Sequence, residues 1–539
     1  MSFTRPAVKW LPAGFLREIT NMGKTGETEQ LRSIDREIQL LVHTAALLQW
    51  DQETGMPSEA IGERSEQIAL LEGFVHDRLA GRELSGLIRE KLARYGVERA
   101  GQLRVDEEVC DENDPGCEEK ALLRVLGRAN ERAVKIPRRL VTEMAQTFSR
   151  AQAAWIEARE KDDFSHFQPH LERIVSLVRE KAEALGYSEQ IYDALLDEFE
   201  PGMLTRQVKP VFDILQQKLA ALTSRILEIQ KADDHFRYRD YSRDKQREFG
   251  LKVLRDMGYE FERGRLDISA HPFTTSLGGS DIRITTHYKT DDLINALFGT
   301  IHEGGHALYE LGIDPRYHQS SLGEGTSLGI HESQSRTWEN IIGRSPSLWK
   351  HYFPILKDEY FPENLSDVSL TDFIRGINKV EPSLIRINAD EVTYSLHIIL
   401  RFNLELALVN GDLQVEGLPE AWNEGMKELL GIVPPGNADG ILQDVHWSMG
   451  AIGYFPTYAL GNLYGAQFFQ SLRSAIPDVY ERMAEGHLQP IREWQREHIH
   501  RHGSVYTAEE LCRRVCGEDL NPDAFILYLE DKFKKLYDM

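Results

Sequence analysis

Cysteine is scarce in this chain, with four among 539 residues. Secreted proteins that depend on disulfides use cysteine more densely, so the low count indicates a reducing compartment and predicts a cytoplasmic protein. The four cysteines form two pairs, Cys110 with Cys117 and Cys512 with Cys516. A zinc site made of all four is an alternative interpretation, but their spacing matches no common zinc ribbon or finger.

Positive charge is also in deficit: 63 Lys and Arg stand against 86 Asp and Glu, a formal net charge of −23. Such a surface repels a phosphate backbone, so neither nucleic acid nor an anionic membrane is expected as a partner. The first 16 residues lack the basic and then apolar pattern of a secretory signal. An uncharged stretch at 447–472 is long enough to span a bilayer, but glycine, proline, tyrosine and amide side chains interrupt it. We therefore predict a core or cleft-lining segment there, and no membrane helix.

Most of the sequence has the apolar periodicity of helices. Leu31, Ile34 and Ile38, for example, recur at three- and four-residue steps, which places them on one helix face. No long Pro/Gly/Ser linker and no fixed-period repeat separates the helical segments, so we predict a single helical unit over 1–539. Apolar stripes of this kind, each along one face of a predicted helix, run through 28–50, 64–80, 118–160, 166–186 and 207–231.

The clearest strand signal lies near the middle of the chain. Segments 271–277 and 281–288 are rich in threonine and β-branched residues, and the Gly-Gly-Ser sequence at 278–280 between them is a typical turn. Alternation places Ile282 and Ile284 on one face of the second strand and their neighbours on the other. We predict a small sheet among the helices.

A metal-binding motif follows these strands. Thr290 can cap a helix that Gly312 ends, and His302, Glu303 and His306 form a His-Glu-x-x-His pattern within it. Residues four apart lie one above the other on a helix, so both imidazoles can reach one metal ion. Glu303 lies about 100° around the axis, where it can accept a proton from a water on the metal.

The alternative is an ordinary pair of surface histidines. Six of the 18 histidines lie between His271 and His331, where an even spread would give about two, and this concentration favours the metal site. The extended metzincin motif would require glycine at 309 and histidine at 312, and Tyr309 and Gly312 exclude it.

A catalytic zinc needs a third protein ligand. The best candidate is Glu332, on a second predicted helix that Thr326 or Ser327 can cap and Gly343 can end. His331 could also ligate, although it points about 100° away from Glu332, and Glu324 lies before the cap. Glu339, two turns beyond Glu332, is a candidate for orienting a ligand imidazole or for a salt bridge with an arginine. Three ligands and a general base predict a hydrolase that activates water, with peptide hydrolysis as the default chemistry.

Further motifs extend over nearly the whole chain, and together with the metal motif they closely resemble the carboxypeptidase Taq family of metallocarboxypeptidases. The segments that carry the resemblance are 48–57, 271–273, 281–285, 302–306, 331–334, 385–390, 440–447 and 453–458. The first 25 residues and the segment from Cys110 to Cys117 match less well.

The resemblance implies a mostly helical, saddle-shaped fold with a deep groove and a small sheet beside the metal site, usually as a homodimer. It implies His302, His306 and Glu332 as the metal ligands, zinc as the metal and cobalt as a possible substitute. Residues 260–470 would form the metal and substrate-binding core, with 1–25 as an N-terminal extension. The implied activity is release of single C-terminal amino acids from peptides.

Such an enzyme must bind the free C-terminal carboxylate of its substrate, and arginine offers a planar, two-pronged partner. Comparison with the family places Arg386 at this carboxylate, with Arg283 and His271 shaping the end of the groove. Structural ion pairs are the alternative, with Asp281 for Arg283 and with Glu381 or Asp390 for Arg386.

The oxyanion that develops on the substrate carbonyl also needs a hydrogen-bond donor. His446 and Tyr458 are the first candidates, and Tyr454 and Gln443 are the next. The tyrosines could equally be core residues. The alternating histidines at 498–502 resemble a second metal site, but their polar neighbours favour a solvated helix end.

Two other functions compete with the carboxypeptidase. Helical zinc peptidases with this ligand set include oligopeptidases that cut internally. A helical scaffold with an inactive metal centre is the non-enzymatic alternative, and the intact motif at 302–306 argues against it.

Overall fold

A computed structural model of the full chain describes residues 26–105 and 115–537. Residues 1–25, predicted as an extension, and Cys110, one of the four cysteines in the alternative zinc site, lie outside the described residues.

Helices dominate the described residues, as the apolar periodicity predicted. Two short π-helical segments, Thr337–Ile342 and Leu356–Tyr360, continue the helices Leu328–Arg336 and Pro346–Ile355. The α-helices are α1 (Glu27–Thr54), α2 (Ile61–Leu79), α3 (Arg82–Arg94), α4 (Pro115–Lys135), α5 (Arg138–Glu160), α6 (Phe164–Leu185), α7 (Ile191–Leu196), α8 (Thr205–Ile229), α9 (Arg243–Met257), α10 (Leu293–Gly312), α11 (Leu328–Arg336), α12 (Pro346–Ile355), α13 (Leu370–Ile377), α14 (Tyr394–Asn410), α15 (Leu418–Leu430), α16 (Pro456–Ala475), α17 (Val479–Ala484), α18 (Gln489–His498), α19 (Ala508–Cys516) and α20 (Asp523–Tyr537).

Two helix boundaries differ from the prediction. The stripe at 118–160 forms two helices, because Pro137 lacks the backbone N–H that a continuous helix requires and instead precedes α5. The helix with the metal motif is capped by Asp292 and not by Thr290, since the Asp292 carboxylate accepts a hydrogen bond from the backbone N–H of Ile294.

A three-stranded sheet supports the metal motif. Its strands β1 (Leu266–Ile268), β2 (Thr274–Ser276) and β3 (Ile282–Thr286) are ordered β1–β3–β2, with β2 antiparallel and β1 parallel to β3. The predicted pair of strands is therefore confirmed, while the three-residue strand β1 was too short for its pattern to be recognised. Alternation predicts that Thr285 faces the side of β3 opposite to the isoleucines. Thr285 is nevertheless buried, and its hydroxyl accepts hydrogen bonds from the Ser269 hydroxyl and from the backbone N–H of Phe273.

One cluster of buried apolar side chains extends from Leu31 to Leu536. The uncharged stretch at 447–472 forms much of α16, which buries 14 of its 20 residues and packs against α11. The prediction of a buried segment is confirmed. Among the described residues, no helix combines the length and apolarity that crossing a bilayer requires.

Candidate metal centre

Two glycines allow the helices of the metal centre to approach closely. A Cβ on Gly305 of α10 would lie 2.7 Å from the Cα of Ser335 on α11. A Cβ on Gly461 of α16 would lie 2.5 Å from Cγ of Glu332. Any larger residue would push these helices apart, so both glycines are needed to bring Glu332 to the histidines of α10.

The three predicted ligands converge. The donor atoms of His302, His306 and Glu332 all lie within 4.8 Å of one another, the one such group of metal-binding side chains among the described residues. Oε2 of Glu332 is 3.3 Å from Nε2 of His306 and 3.7 Å from Nε2 of His302. Ligands about 2.1 Å from one tetrahedral ion stand roughly 3.4 Å apart, so this set fits a catalytic zinc and leaves a fourth position for water or substrate.

A carboxylate orients His302. Oε2 of Glu339, in the π-helical segment that follows α11, is 2.8 Å from Nδ1 of the imidazole. This contact turns Nε2 of His302 toward Glu332, and metal-binding histidines in proteins usually have such a partner. Glu339 also pairs with Arg336 at 3.3 Å, so both roles considered for it in the sequence occur together.

His331 lies beside His306 and outside the group of His302, His306 and Glu332. Its Nδ1 is 2.6 Å from Nδ1 of His306, and its Nε2 is 2.7 Å from Oε1 of Glu310. The two imidazoles stack with ring centroids 4.6 Å apart. Glu310, His331 and His306 thus form a series of side-chain contacts that orients His306, just as the contact with Glu339 orients His302. This series holds Nε2 of His306 toward the metal position.

Glu332 is held on its second oxygen by an arginine that sequence reasoning missed. Nε of Arg336 donates to Oε1 of Glu332 at 2.6 Å, and the hydroxyl of Ser335 donates to Oε2 at 3.1 Å. Although burial opposes it, Arg336 keeps the pKa of Glu332 well below its usual range, so this carboxylate stays ionised. The i,i+4 spacing of the two residues on a predicted helix was the available signal.

Glu303 faces the sheet. The hydroxyl of Thr274 on β2 donates to Oε2 of Glu303 at 2.7 Å and also contacts its backbone oxygen at 3.1 Å. Glu303 is 6 % exposed, and burial raises the pKa of its carboxyl above the ordinary value. A raised pKa makes this carboxylate a better proton acceptor than an exposed glutamate.

A second cluster, which we call the Arg386 cluster, consists of Arg386, Tyr394, Asp444, His446, Tyr454 and Tyr458. Nε and Nη2 of Arg386 bind Oδ1 of Asp444 at 3.0 and 2.8 Å, and Nη1 donates to the hydroxyl of Tyr394 at 3.0 Å. The structural ion pair that was the alternative for Arg386 therefore forms with Asp444 and not with Glu381 or Asp390, because the segment at 440–447 folds back onto Arg386.

The cluster is joined to the metal centre through Tyr394. Its ring lies under the guanidinium of Arg336, 4.2 Å from the centroid, while its hydroxyl accepts from Arg386. Arg336 in turn binds Glu332. The structure thus brings Arg386 and the tyrosines beside it to the side of the metal centre where Glu332 lies.

His446 and Tyr458 contact each other directly. Nε2 of His446 is 3.2 Å from the Tyr458 hydroxyl, and the rings of Tyr454 and Tyr458 pack edge to face at 5.3 Å. Burial lowers the pKa of His446 to about 4, so the imidazole is neutral at pH 7. Burial also raises the pKa of the Tyr458 hydroxyl well above its usual range, so that hydroxyl keeps its proton and can donate it in a hydrogen bond.

Gln443 does not belong to the Arg386 cluster but contacts two of the arginines around it. Its Oε1 accepts from the backbone N–H of Arg386 and from Nη2 of Arg401, both at 2.8 Å. Arg401 is fully buried and binds Oδ2 of Asp444 at 2.6 Å, so two arginines share one carboxylate. Although burial would raise it, the arginines hold the pKa of Asp444 well below its usual range. Sequence reasoning gave a role to Gln443 but none to Asp444 or Arg401.

The structure places Arg283 and His271 at the sheet and not in this cluster. Arg283 binds both carboxylate oxygens of Asp281, at 2.9 and 2.7 Å, and its guanidinium lies 4.3 Å from the ring centroid of Trp50 on α1. This is the structural ion pair that was the alternative for Arg283. His271 is exposed in the connection between β1 and β2.

The alternating histidines at 498–502 are not a solvated helix end. His498 is exposed, but His500 and His502 are buried, and His500 bonds to Gln334 at 2.9 Å. Gly312 makes this possible, since a Cβ there would lie 2.6 Å from Cβ of His500. None of these histidines belongs to the metal-binding group.

The helical fold and the convergence of a His-Glu-x-x-His helix with a glutamate define a helical metallopeptidase. The model of the carboxypeptidase Taq (M32) metallopeptidase family matches residues 30–533, and the chain belongs to this family.

Curated relatives and solved structures agree with this assignment. Thermostable carboxypeptidase 1 of Thermus thermophilus is 42 % identical over 520 residues, covering 94 % of this chain and 98 % of the relative. Carboxypeptidase 1 of Bacillus subtilis is 38 % identical over 493 residues, covering 91 % and 95 %. The crystal structure of the M32 carboxypeptidase from Deinococcus radiodurans superimposes with a TM-score of 0.88 at 36 % identity, covering 95 % of this chain and all of that one. The Pyrococcus furiosus carboxypeptidase gives a TM-score of 0.88 at 39 % identity, covering 95 % and 99 %. The expected fold, mostly helical with a small sheet, is confirmed.

Proposed function

We propose that this metallocarboxypeptidase removes single amino acids from the C-termini of peptides, with zinc held by His302, His306 and Glu332. The convergence of these three donor atoms is the observation that carries the proposal. Glu303 follows His302 on α10. Cobalt is proposed as a substitute, since the same nitrogen and oxygen ligands suit both metals. When bound, the metal would polarise the scissile carbonyl and make a water more acidic.

Glu303 performs the proton transfers in this proposal. It takes a proton from the attacking water and passes it to the leaving amine, while Thr274 fixes one of its oxygens. Tyr458 and His446 are proposed as donors to the oxyanion that forms on the carbonyl, with Tyr454 beside them. The buried hydroxyl of Tyr458 stays protonated, as this role requires.

Arg386 is proposed to bind the terminal carboxylate of the substrate. Its side chain is 7 % exposed, and its guanidinium lies 4.9 Å from the ring centroid of Tyr458, the proposed oxyanion donor. Gln443 fixes the backbone of Arg386 and so positions it. Arg283 and His271 remain weaker candidates for the end of the groove, because Asp281 already neutralises Arg283.

The products of a short peptide test this function. We expect a free-acid decapeptide to yield a ladder of products that lack one, two or more C-terminal residues, as measured by mass spectrometry. The same peptide with an amidated C-terminus should be cut far more slowly, because it offers no charge to Arg386. Internal fragments from both peptides at equal rates would instead indicate the oligopeptidase.

Replacing Arg386 with Met should reduce the preference for free-acid over amidated peptides by about 10–100-fold. This factor corresponds to the free energy of the charge-assisted hydrogen bonds that would be lost. The measurement is kcat/KM on the two substrates. Arg401→Met is the matched control, because Arg401 binds the same Asp444 but is fully buried. If both variants lose activity equally on both substrates, Arg386 is a structural partner of Asp444 and does not bind substrate.

The homodimer and the cytoplasmic location stay predictions. The same holds for the single unit over 1–539 and its core at 260–470, within which all three proposed ligands and the Arg386 cluster lie.

A further inference from the structure

A cavity lies where α12, α13 and α20 meet. Its volume is about 480 Å³, within the range of about 300–1,000 Å³ typical of small-molecule sites. None of the proposed ligands or members of the Arg386 cluster lines it. One wall includes Ile341, which belongs to the π-helical segment that also contains Glu339.

The charge of the cavity is opposite to that of the protein. Three cations and one carboxylate line it, whereas the whole chain has a net charge of −23. Two of the cations are neutralised locally: Lys532 binds Glu391 at 2.6 Å, and Lys535 binds Asp531 at 2.7 Å. The third cation is Arg375.

Arg375 is half-buried in the last turn of α13, and no carboxylate of the described residues pairs with it. A partly buried guanidinium without a counter-ion is costly, and a bound anion would remove that cost. Arginine also presents a planar fork suited to carboxylate, sulfonate or phosphate groups.

The other walls suit an apolar or aromatic body. Ile374 and Leu536 contribute apolar surface, and Tyr480 and Tyr528 contribute aromatic rings. Apolar walls with a few polar groups at one end are the usual arrangement of a small-ligand site, where the walls supply affinity and the charge sets orientation.

We propose that this cavity binds a small organic anion, with the acidic group on Arg375 and an aromatic or aliphatic body between Tyr480, Tyr528 and Ile374. The cavity is separate from the peptide site, so this binding does not depend on the proposed function.

The probe for the test is 8-anilinonaphthalene-1-sulfonate, an aromatic sulfonate whose fluorescence rises on binding. With the full-length protein we expect one saturable site, located by a crystal structure of the complex between α13 and α20. Arg375→Gln should weaken the binding at least about tenfold through loss of a charge-assisted contact. Thr371→Trp, which fills the cavity from an exposed lining position, should abolish it.

Arg150→Gln is the matched control, since it removes the same charge from an exposed position on α5 outside the cavity lining, and it should leave the affinity unchanged. Circular dichroism and peptidase activity check that each variant is folded. The uncharged analogue N-phenyl-1-naphthylamine should bind at least about tenfold more weakly than the sulfonate. Absence of saturable binding, equal affinity in Arg375→Gln and the unchanged protein, or equal affinity for the neutral analogue would each overturn the proposal.

Discussion

Glu303→Gln should lower kcat on a free-acid peptide by about 10²–10⁴-fold while leaving the metal content at one ion per chain. Glutamine keeps the shape of the side chain and can still contact Thr274, but it cannot accept the proton of the attacking water. The metal ligands are unchanged, so KM and metal affinity should change little. The measurements are steady-state kinetics and metal analysis of the same purified preparation.

Glu248→Gln is the control for this substitution, because it removes an equal charge from an exposed position on α9. It should have the activity of the unchanged protein. If Glu303→Gln kept full activity, a contaminating peptidase would be the source of the hydrolysis, and the inactive scaffold would become the better interpretation.

Glu332→Gln should remove the metal. The neutral amide is a poor ligand, and Arg336 would lose the carboxylate that it binds at 2.6 Å. We expect the dissociation constant of zinc to rise by more than about 10²-fold, and the rise in Tm that zinc gives the unchanged protein should disappear. Calorimetric titration and thermal unfolding with and without zinc measure both effects.

Glu339→Gln provides a graded comparison. Glu339 contacts His302 and does not belong to the ligand group, so its substitution should weaken zinc binding by about 10–100-fold without abolishing it. If Glu332→Gln bound zinc as tightly as the unchanged protein, or if Glu339→Gln had the larger effect, the assignment of the third ligand would be wrong.

The local features of the metal centre could be predicted from the sequence because they depend on short-range geometry. The four-residue spacing of His302 and His306 places both on one face of a helix, and the Ser327 cap starts the next helix at the residue expected. Glu332 was preferred to His331 because it shares a helix face with Ser335 and Glu339, about 100° away from His331. In the structure it is Glu332 that joins His302 and His306. The strands at 274–276 and 282–286 follow in the same way from their alternation and turn.

Contacts between distant segments could not be predicted in this way. Asp444 lies 58 residues from Arg386 and 43 from Arg401, and only packing of the helices brings the three together. The burial of His500 depends on the absence of a side chain at Gly312 of another helix. The cavity beside Arg375 has walls from four parts of the chain, so no local pattern indicates it.

The sequence by itself determined the mostly helical class of this protein, the small sheet and the residues able to bind a metal, since each depends on the periodicity and chemistry of neighbouring residues. Tertiary structure decided how those residues are used. It placed His331 behind His306, Arg336 on Glu332 and Asp444 between two arginines, because side-chain partners depend on which helix faces meet. Glycines at 305 and 461 let those faces approach closely enough for three side chains to meet at one point.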